Sequence, residues 1–484
     1  MNLSELLDDL PDIAVYTLDA EIPTARLRGC SAALRAELIA AGVRPGHVVA
    51  AMLPNDATTV SALFGTWGAG GVYTPLNPRA ADAELTTQLQ TLRPSAVLTT
   101  AESAHRFAGT NIPVLVGGDL RWTSADRPAH RQDALDPQSY DPAVALLQFT
   151  SGTTGAPKPV PLRHETVIDL IDRLLAKLRG GRDRSSDRPP MPNLVPLSLS
   201  LWAGIYQVLF AFRAGAGVIL MDRFSSGGFA ALVARHQLRS TVLPPAALTM
   251  VLHDDSVSDL SPLRIVRSIT APLSPVQAAR FRDKFGVLVL NSYGQTELGG
   301  EVVGWSASDA RDYGVAKLGS VGRPLPGIDV TIIDNEVLVR TPTTASRQVD
   351  PAFHDRLTED GWFHTGDLGW LDDDGFLWLD GRVSDMINRG GLKVFPGAVE
   401  DVLHSADGVR EAAVVGVPDE RLGEVPWAFV VRRDASVSEQ SLTDWCRERL
   451  TPYRVPARVV FVDSLPRNDV GKVLKRDLVA HARV

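Results

Sequence analysis

Residues 147–158 read LQFTSGTTGAPK. An apolar run ends abruptly in a loop of Thr150, Ser151, Gly152, Thr153, Thr154 and Gly155, and Lys158 follows between two prolines. Glycines let backbone N–H groups converge on one point, which suits an anion. The hydroxyls add donors that can follow moving phosphate oxygens, and the lysine adds a point charge. The pattern differs from the Gly-Lys-Ser/Thr loop that opens a helix, since Pro159 has no N–H to donate. The plain alternative is a solvated Ser/Thr-rich linker, which the abrupt transition from an apolar strand makes the weaker reading.

Four later stretches also combine reactive types. NSYGQTELGG (291–300) presents an aromatic, a hydroxyl and a carboxylate around a glycine turn. A carboxylate beside a phosphate loop makes physical sense mainly if a hard cation lies between them. Taken singly, Tyr293 reads equally as a core tyrosine and Glu297 as a helix N-terminal carboxylate. WFHTGDLGW places Asp367 in a Thr-Gly-Asp turn, and DGRVSDMINRGGLKVFP holds Arg382 and a Gly390-Gly391 pair. Arg382 alone reads as a surface ion pair with nearby Asp380 or Asp385, and the glycine pair as a simple turn before a strand. Lys472, in LPRNDVGKVLKRDL, reads in isolation as a solvated lysine.

In this order the five stretches resemble the AMP-forming adenylating enzymes: acyl- and aryl-CoA ligases, peptide-synthetase adenylation domains and firefly-type luciferases. The resemblance spans roughly residues 45 to 478, and five ordered signatures are far more specific than one loop. It implies ATP-dependent conversion of a carboxylic acid to an acyl-adenylate with release of pyrophosphate, then transfer to the thiol of CoA. ATP, Mg2+ and CoA are the cofactors it implies, and a small carboxylic acid the substrate. By resemblance the loop Thr150–Gly155 with Lys158 holds phosphates, Ala271, Pro272, Tyr293 and Gly294 hold the nucleotide, and Asp367 and Arg382 reach the ribose. Thr296 touches the α-phosphate, Glu297 holds Mg2+, and Lys472 bridges the attacking carboxylate and the α-phosphate. Trp202, Ile269, Thr270, Asn291 and Gln295 border the acyl pocket; Gly390 and Gly391 let a pantetheine arm pass; Ser384 is the hinge about which the small domain swings. Two other readings stand beside this one: an adenylating enzyme that passes the acyl group to a carrier-protein thiol or an amine, and a non-catalytic adenylate-binding protein.

The sequence departs from the family pattern in four places. Ser384 replaces a charged hinge residue, with Asp385 beside it. Ile269, in SITAPLSP, replaces a glycine at the acyl pocket, which favours a compact acid over a long straight chain. The segment VPLSLSLWAG lacks the usual histidine, leaving Trp202 for its place. Ala398 stands where a glutamate is customary. His164, just past the phosphate loop, matches a family histidine and reads as structural.

The elements that must position these residues alternate. CSAALRAELIAAGV, DATTVSALFGTWGAGG and DAELTTQLQTLR have helical spacing; HVVAAML, GVYTPL and SAVLTT are short apolar strands. That rhythm argues for an α/β fold of doubly wound parallel sheets. From Gly319 short strands joined by Asp/Gly/Asn turns indicate a β subdomain, about 319–380. An α+β pattern then begins, giving the expectation of an adenylation core over 1–380, a hinge at 381–385 and a mobile C-terminal domain over 386–484.

Composition sets the outer limits. The chain has 484 residues, 44% apolar and 22% charged, with a formal charge of −8 and no basic block, which argues against nucleic-acid binding. Two distant cysteines, Cys30 and Cys446, support neither a disulfide framework nor a cysteine zinc site and suit the cytoplasm. The acidic start MNLSELLDDLPD has no signal-peptide core. The apolar stretch 199–221 is split by Arg213 and two glycines, which reads as buried core and not as a transmembrane segment. Oligomeric state stays open, a homodimer being common among such enzymes.

Overall fold

The computed structural model describes residues 2–10, 12, 14–126, 137–150, 158–179, 190–345, 351–434, 436–468 and 471–482. The chain forms two compact units, residues 1–242 with 294–301 and residues 243–293 with 302–484.

The first unit is built on a seven-stranded sheet. Its strands run, across the sheet, Arg121–Asp126, Val114–Gly118, Ala96–Thr99, Val48–Met52, Val72–Pro75, Val144–Thr150 and Lys158–Arg163. The interior pairs are parallel and the two outermost pairs antiparallel. Parallel neighbours need crossovers, which the helices Ala57–Gly68 and Asp82–Leu92 supply. Val48–Met52 is buried along its whole length, as expected for a strand covered on both faces. Val48, Ala50, Val72, Val97 and Leu147 share one core with Leu85 and Leu92 of the second crossover helix. Asp56 caps Ala57–Gly68 by accepting the Thr59 N–H at 2.8 Å. That helix lies so close to Thr24–Ala40 that a Cβ at Gly65 would sit 2.9 Å from the Ser31 carbonyl oxygen.

The apolar stretch 199–221 contains the buried helix Trp202–Ala214, a left-handed Gly215, and the strand Val218–Leu220. This strand lies between Asn193–Val195 and Ala14–Tyr16 in a second sheet. Among the described residues no helix is long and apolar enough to cross a membrane.

The second unit holds three sheet elements that matter for the site. Ile265–Ser268 and Leu288–Asn291 are parallel neighbours joined through the helix Pro275–Phe285. An antiparallel meander follows the turns read from sequence: Asp329–Ile333, Glu336–Arg340, Phe363–Leu371 and Leu377–Arg382. Its first hairpin turns on Asp334 and Asn335, both at positive φ, the two-residue turn that matches strand twist. Finally Gly423–Arg432 pairs with Val409–Asp419, Ile387–Arg389 and Arg458–Phe461. Helices Pro396–Ser405 and Glu439–Arg449 cover one face of this sheet, and Lys475–Ala482 the other, each with its own apolar cluster. A sheet covered on both faces by helices from the same 100-residue stretch has the core of a small domain.

One contact in this unit predicts a pH effect. Asp401, half-buried on Pro396–Ser405, accepts a hydrogen bond from Ser274 at the head of Pro275–Phe285. Burial pushes its carboxyl up from 3.8 to about 6; the Ser274 bond opposes the rise and neighbouring Glu400 adds to it. The folded state therefore favours the protonated acid, a preference that is full below about pH 4 and lost as pH rises through about 6. Asp401→Asn keeps an acceptor for Ser274 without the charge. It is expected to stabilise the protein by about 1–2 kcal/mol at about pH 8 and hardly at all near about pH 3.5, read by thermal melts at both values. Equal midpoints for both proteins at about pH 8 would remove Asp401 from the acid balance.

Candidate active site

The clearest constellation lies in the second unit. Tyr293, buried to 7% exposure, donates its hydroxyl hydrogen to Asp367 Oδ2 at 2.7 Å. Arg382 Nε meets the other oxygen, Oδ1, at 3.0 Å. The meander makes this possible, because Asp367 and Arg382 face each other across its last hairpin. The Asp367 N–H donates to Thr365 Oγ1, which itself donates to the Val337 carbonyl at 2.6 Å. Gly366, at φ 70°, turns the chain between them and gives its N–H to Glu336; an L side chain is rarely tolerated in that conformation. Burial, with the Asp367 charge beside it, holds the Tyr293 phenol well above its usual range, so it stays a donor. Arg382 therefore meets Asp367, its partner across the hairpin, a pairing set by strand register and not by sequence proximity.

Lys472 joins this group. Burial and the Arg382 charge lower its ammonium from the usual lysine range, while Asp385 and Asp367 oppose that fall. Its backbone is fixed independently of its side chain: Lys472 N–H donates to Asn468 Oδ1 at 2.9 Å, and Asn468 N–H to the Lys472 carbonyl at 2.9 Å. Arg467 braces the same hairpin through the Gly471 carbonyl and Glu411.

Other predicted residues fall as follows. In the second unit Ile269, Thr270 and Ala271 are partly buried and Pro272 is exposed, just beyond Ile265–Ser268. Asn291 ends the neighbouring strand and donates to the Leu273 carbonyl at 3.3 Å. Ser384 lies in the short turn Val383–Asp385 and donates to Asp385 at 3.2 Å. Gly390 and Gly391, at φ 61° and 88°, form the exposed two-residue turn between Ile387–Arg389 and Leu392–Val394.

In the first unit, Gly294 and Gln295 belong to a short strand, and Thr296, Glu297 and Leu298 form one 3-10 turn closed by left-handed Gly299. Gly294 admits no side chain: a Cβ would lie 2.0 Å from the Gly300 carbonyl oxygen. Trp202 opens the helix Trp202–Ala214, packed edge-on against Tyr206, and its indole N–H has no partner among the described residues. Ser198 and Ser200 hydrogen-bond each other at 2.8 Å. Thr150 and Lys158 are backbone partners at the ends of the antiparallel strands Val144–Thr150 and Lys158–Arg163. Ser151, Gly152, Thr153, Thr154 and Gly155 lie outside the described residues. His164 is structural as read: Nδ1 accepts the Leu3 N–H at 3.2 Å, the ring packs edge-on to Trp67, and burial pushes it down to about 4.

Two features escaped the sequence. One is the Tyr293–Asp367 bond. The other is Arg389, whose Nη1 reaches the carbonyls of Tyr453 at 2.8 Å and of Val455 at 3.3 Å, pinning the strand that leads into the Gly390–Gly391 turn. Gly390 N–H donates to the Leu422 carbonyl at 2.7 Å and Gly391 N–H to Asn388 Oδ1 at 3.0 Å, so the turn is held on three sides.

An aromatic, a carboxylate and a guanidinium thus converge, with a lysine on a separately anchored hairpin in their field. Comparisons with known proteins identify the family. The profile described as AMP-binding enzyme matches residues 24–345, and that of the AMP-binding enzyme C-terminal domain matches residues 398–472. A 4-coumarate–CoA ligase-like protein of Oryza sativa is 32% identical over 90% of this chain and 83% of its own. A 3-[(3aS,4S,7aS)-7a-methyl-1,5-dioxo-octahydro-1H-inden-4-yl]propanoyl:CoA ligase of Mycobacterium tuberculosis is 34% identical over 98% of this chain and 97% of its own. The structure of an o-succinylbenzoate CoA synthetase from Bacillus subtilis, in complex with ATP and magnesium ion, superposes with a TM-score of 0.81 at 27% identity, covering 98% of each chain. The chain belongs to the AMP-binding enzymes. Within them it is an AMP-forming carboxylate–CoA ligase: it makes an acyl-adenylate from ATP and a carboxylic acid, then an acyl-CoA.

Proposed function

We propose that Lys472, Asp367, Arg382 and Tyr293 form the nucleotide end of the reaction centre, and that the acid is compact. The observation that supports this most is the Tyr293–Asp367–Arg382 cluster with Lys472 in its field. Tyr293 offers a ring face for adenine. Asp367 offers carboxylate lone pairs for the two ribose hydroxyls, oriented by Arg382. A carboxylate oxygen attacks the α-phosphorus, the bond to pyrophosphate breaks, and Lys472 screens the two anions as they approach. Thr150, Lys158 and Thr296 face the phosphates in this reading, and Trp202, Ile269, Thr270, Asn291 and Gln295 the acid.

Magnesium fits the residues present. Among the described residues no three or more His, Cys, Asp or Glu side chains converge to hold a metal. A lone carboxylate, Glu297, beside phosphates is the usual way Mg2+ is bound, its remaining shell coming from phosphate oxygens and water. When bound, the ion neutralises triphosphate charge.

A compact acid follows from Ile269 at the pocket border, and the bicyclic propanoate in the mycobacterial relative's name is of that kind. The domain limits proposed are a core to about residue 380, a hinge at 381–385 around Ser384, and a small domain from 386 that moves between the two half-reactions. Both cysteines are free and buried, which fits the cytoplasm. Pyrophosphate release over aryl, alicyclic, short-chain and long-chain acids, with and without CoA, tests the assignment. Activity rising with chain length to palmitate would overturn the compact-acid reading, and release without any thioester product would favour an amine or carrier-protein acceptor.

The CoA step predicts a separate effect at Arg389. Arg389→Ala frees the anchored strand before Gly390–Gly391 without touching the nucleotide cluster. The expected outcome is a KM for CoA about tenfold higher, with acid-dependent pyrophosphate exchange within twofold of the parent. Equal losses in both half-reactions would show that Arg389 serves only the fold.

A further inference from the structure

The parallel strands Ile265–Ser268 and Leu288–Asn291 end together, with Ser268 and Asn291 in register and the Ser292 N–H donating to the Ser268 carbonyl at 2.9 Å. Four polar atoms are buried at this one edge without a partner among the described residues: Ser268 Oγ, Thr270 Oγ1, Asn291 Oδ1 and Ser292 Oγ. Buried polar atoms are nearly always hydrogen-bonded, so a cluster of orphans implies a missing partner. Ligands of open α/β sheets bind beyond the carboxyl ends of the strands, and this edge is such a place. Thr270 adds a second observation. It is β-branched yet holds φ at 78°, a conformation such residues seldom adopt and one that tends to mark functional positions. The strained turn is held in place by the Asn291 side-chain N–H on the Leu273 carbonyl.

We propose that the acid activated by this enzyme carries a second polar group, a carbonyl or hydroxyl remote from the reacting carboxylate, which the hydroxyls of Ser268, Thr270 and Ser292 bind. This rests on the acyl-site reading of Thr270 and Asn291 given above. Ile269 between them limits the length of the acid; the hydroxyls around it set its polarity. A purely hydrocarbon acid would leave the three hydroxyls without that partner, and sites built to hydrogen-bond a ligand reject analogues lacking the group much more strongly than apolar pockets reject an extra methylene.

The test uses matched pairs such as 3-(4-oxocyclohexyl)propanoate and 3-cyclohexylpropanoate, together with aryl and short-chain pairs, in pyrophosphate release at saturating ATP. The oxygenated member of at least one pair is expected to be favoured by about tenfold or more in kcat/KM. Thr270→Val and Ser292→Ala should each bring that ratio toward one with the KM for ATP unchanged, and Thr270→Ser should restore it. Using Ser292→Ala beside Thr270→Val guards against a folding defect at the strained residue. Equal use of the members of every pair overturns the proposal, as does a raised KM for ATP with the ratio intact, which would give the hydroxyls to the nucleotide. If no acid in the panel releases pyrophosphate, the ligase reading itself falls, a result distinct from either.

Discussion

Lys472→Ala is expected to lower acid-dependent pyrophosphate exchange by about a hundred- to a thousandfold, with the KM for ATP changed only a few-fold. The effect is electrostatic. Two anions, a carboxylate and an α-phosphate, must come together, and Lys472 is a cation in the field of Asp367 and Arg382. Its partial burial makes the charge more effective than a solvated one. The variant is clean because the hairpin bonds involve the Lys472 main chain and the Asn468 side chain, which alanine leaves intact. Transfer from preformed acyl-adenylate to CoA should proceed at the parental rate, since no phosphate is attacked there. Unchanged exchange would remove Lys472 from the chemistry, and an equal loss in both half-reactions would make it a folding residue.

The sequence made some of this legible and hid the rest for identifiable reasons. Helices and strands were readable because periodicity and turn residues are local: the split at Arg213 and Gly215 and the turn at Asp334–Asn335 appear where composition put them. The partner of Arg382 was hidden. Counting outward from the Asp-Gly turn pairs Leu371 with Leu377, but a bulge after Leu368 shifts the register by one, so that Asp367 meets Arg382. A bulge leaves little mark in one sequence. Arg389 was hidden because its acceptors are backbone carbonyls more than sixty residues away, which no residue type announces. The orphan hydroxyls were hidden too: serine and threonine at strand ends are ordinary turn formers, and only burial without a partner sets these apart.

Asp367→Ala should separate two effects within the Tyr293–Asp367–Arg382 cluster. The carboxylate accepts from the Tyr293 hydroxyl and faces the Arg382 guanidinium, so its removal takes a charged acceptor from a buried phenol. That cost is about 1–3 kcal/mol and should appear as a lower melting midpoint in the apo protein. Arg382 is 39% exposed and can turn to solvent, so it adds little. If Asp367 also receives the ribose hydroxyls, the second loss is larger. Two hydrogen bonds to a charged acceptor are each worth about 1.5–3 kcal/mol, so kcat/KM for ATP should fall by at least about a hundredfold, measured where both proteins are folded. Tyr293→Phe distinguishes the two losses. It removes only the internal bond and keeps the ring, so the apo midpoint should drop by a similar small amount while saturating ATP still stabilises the protein. ATP should give no such thermal shift with Asp367→Ala. A full ATP shift in Asp367→Ala would confine Asp367 to holding Tyr293 and Arg382 in place, and the nucleotide would then need a different acceptor.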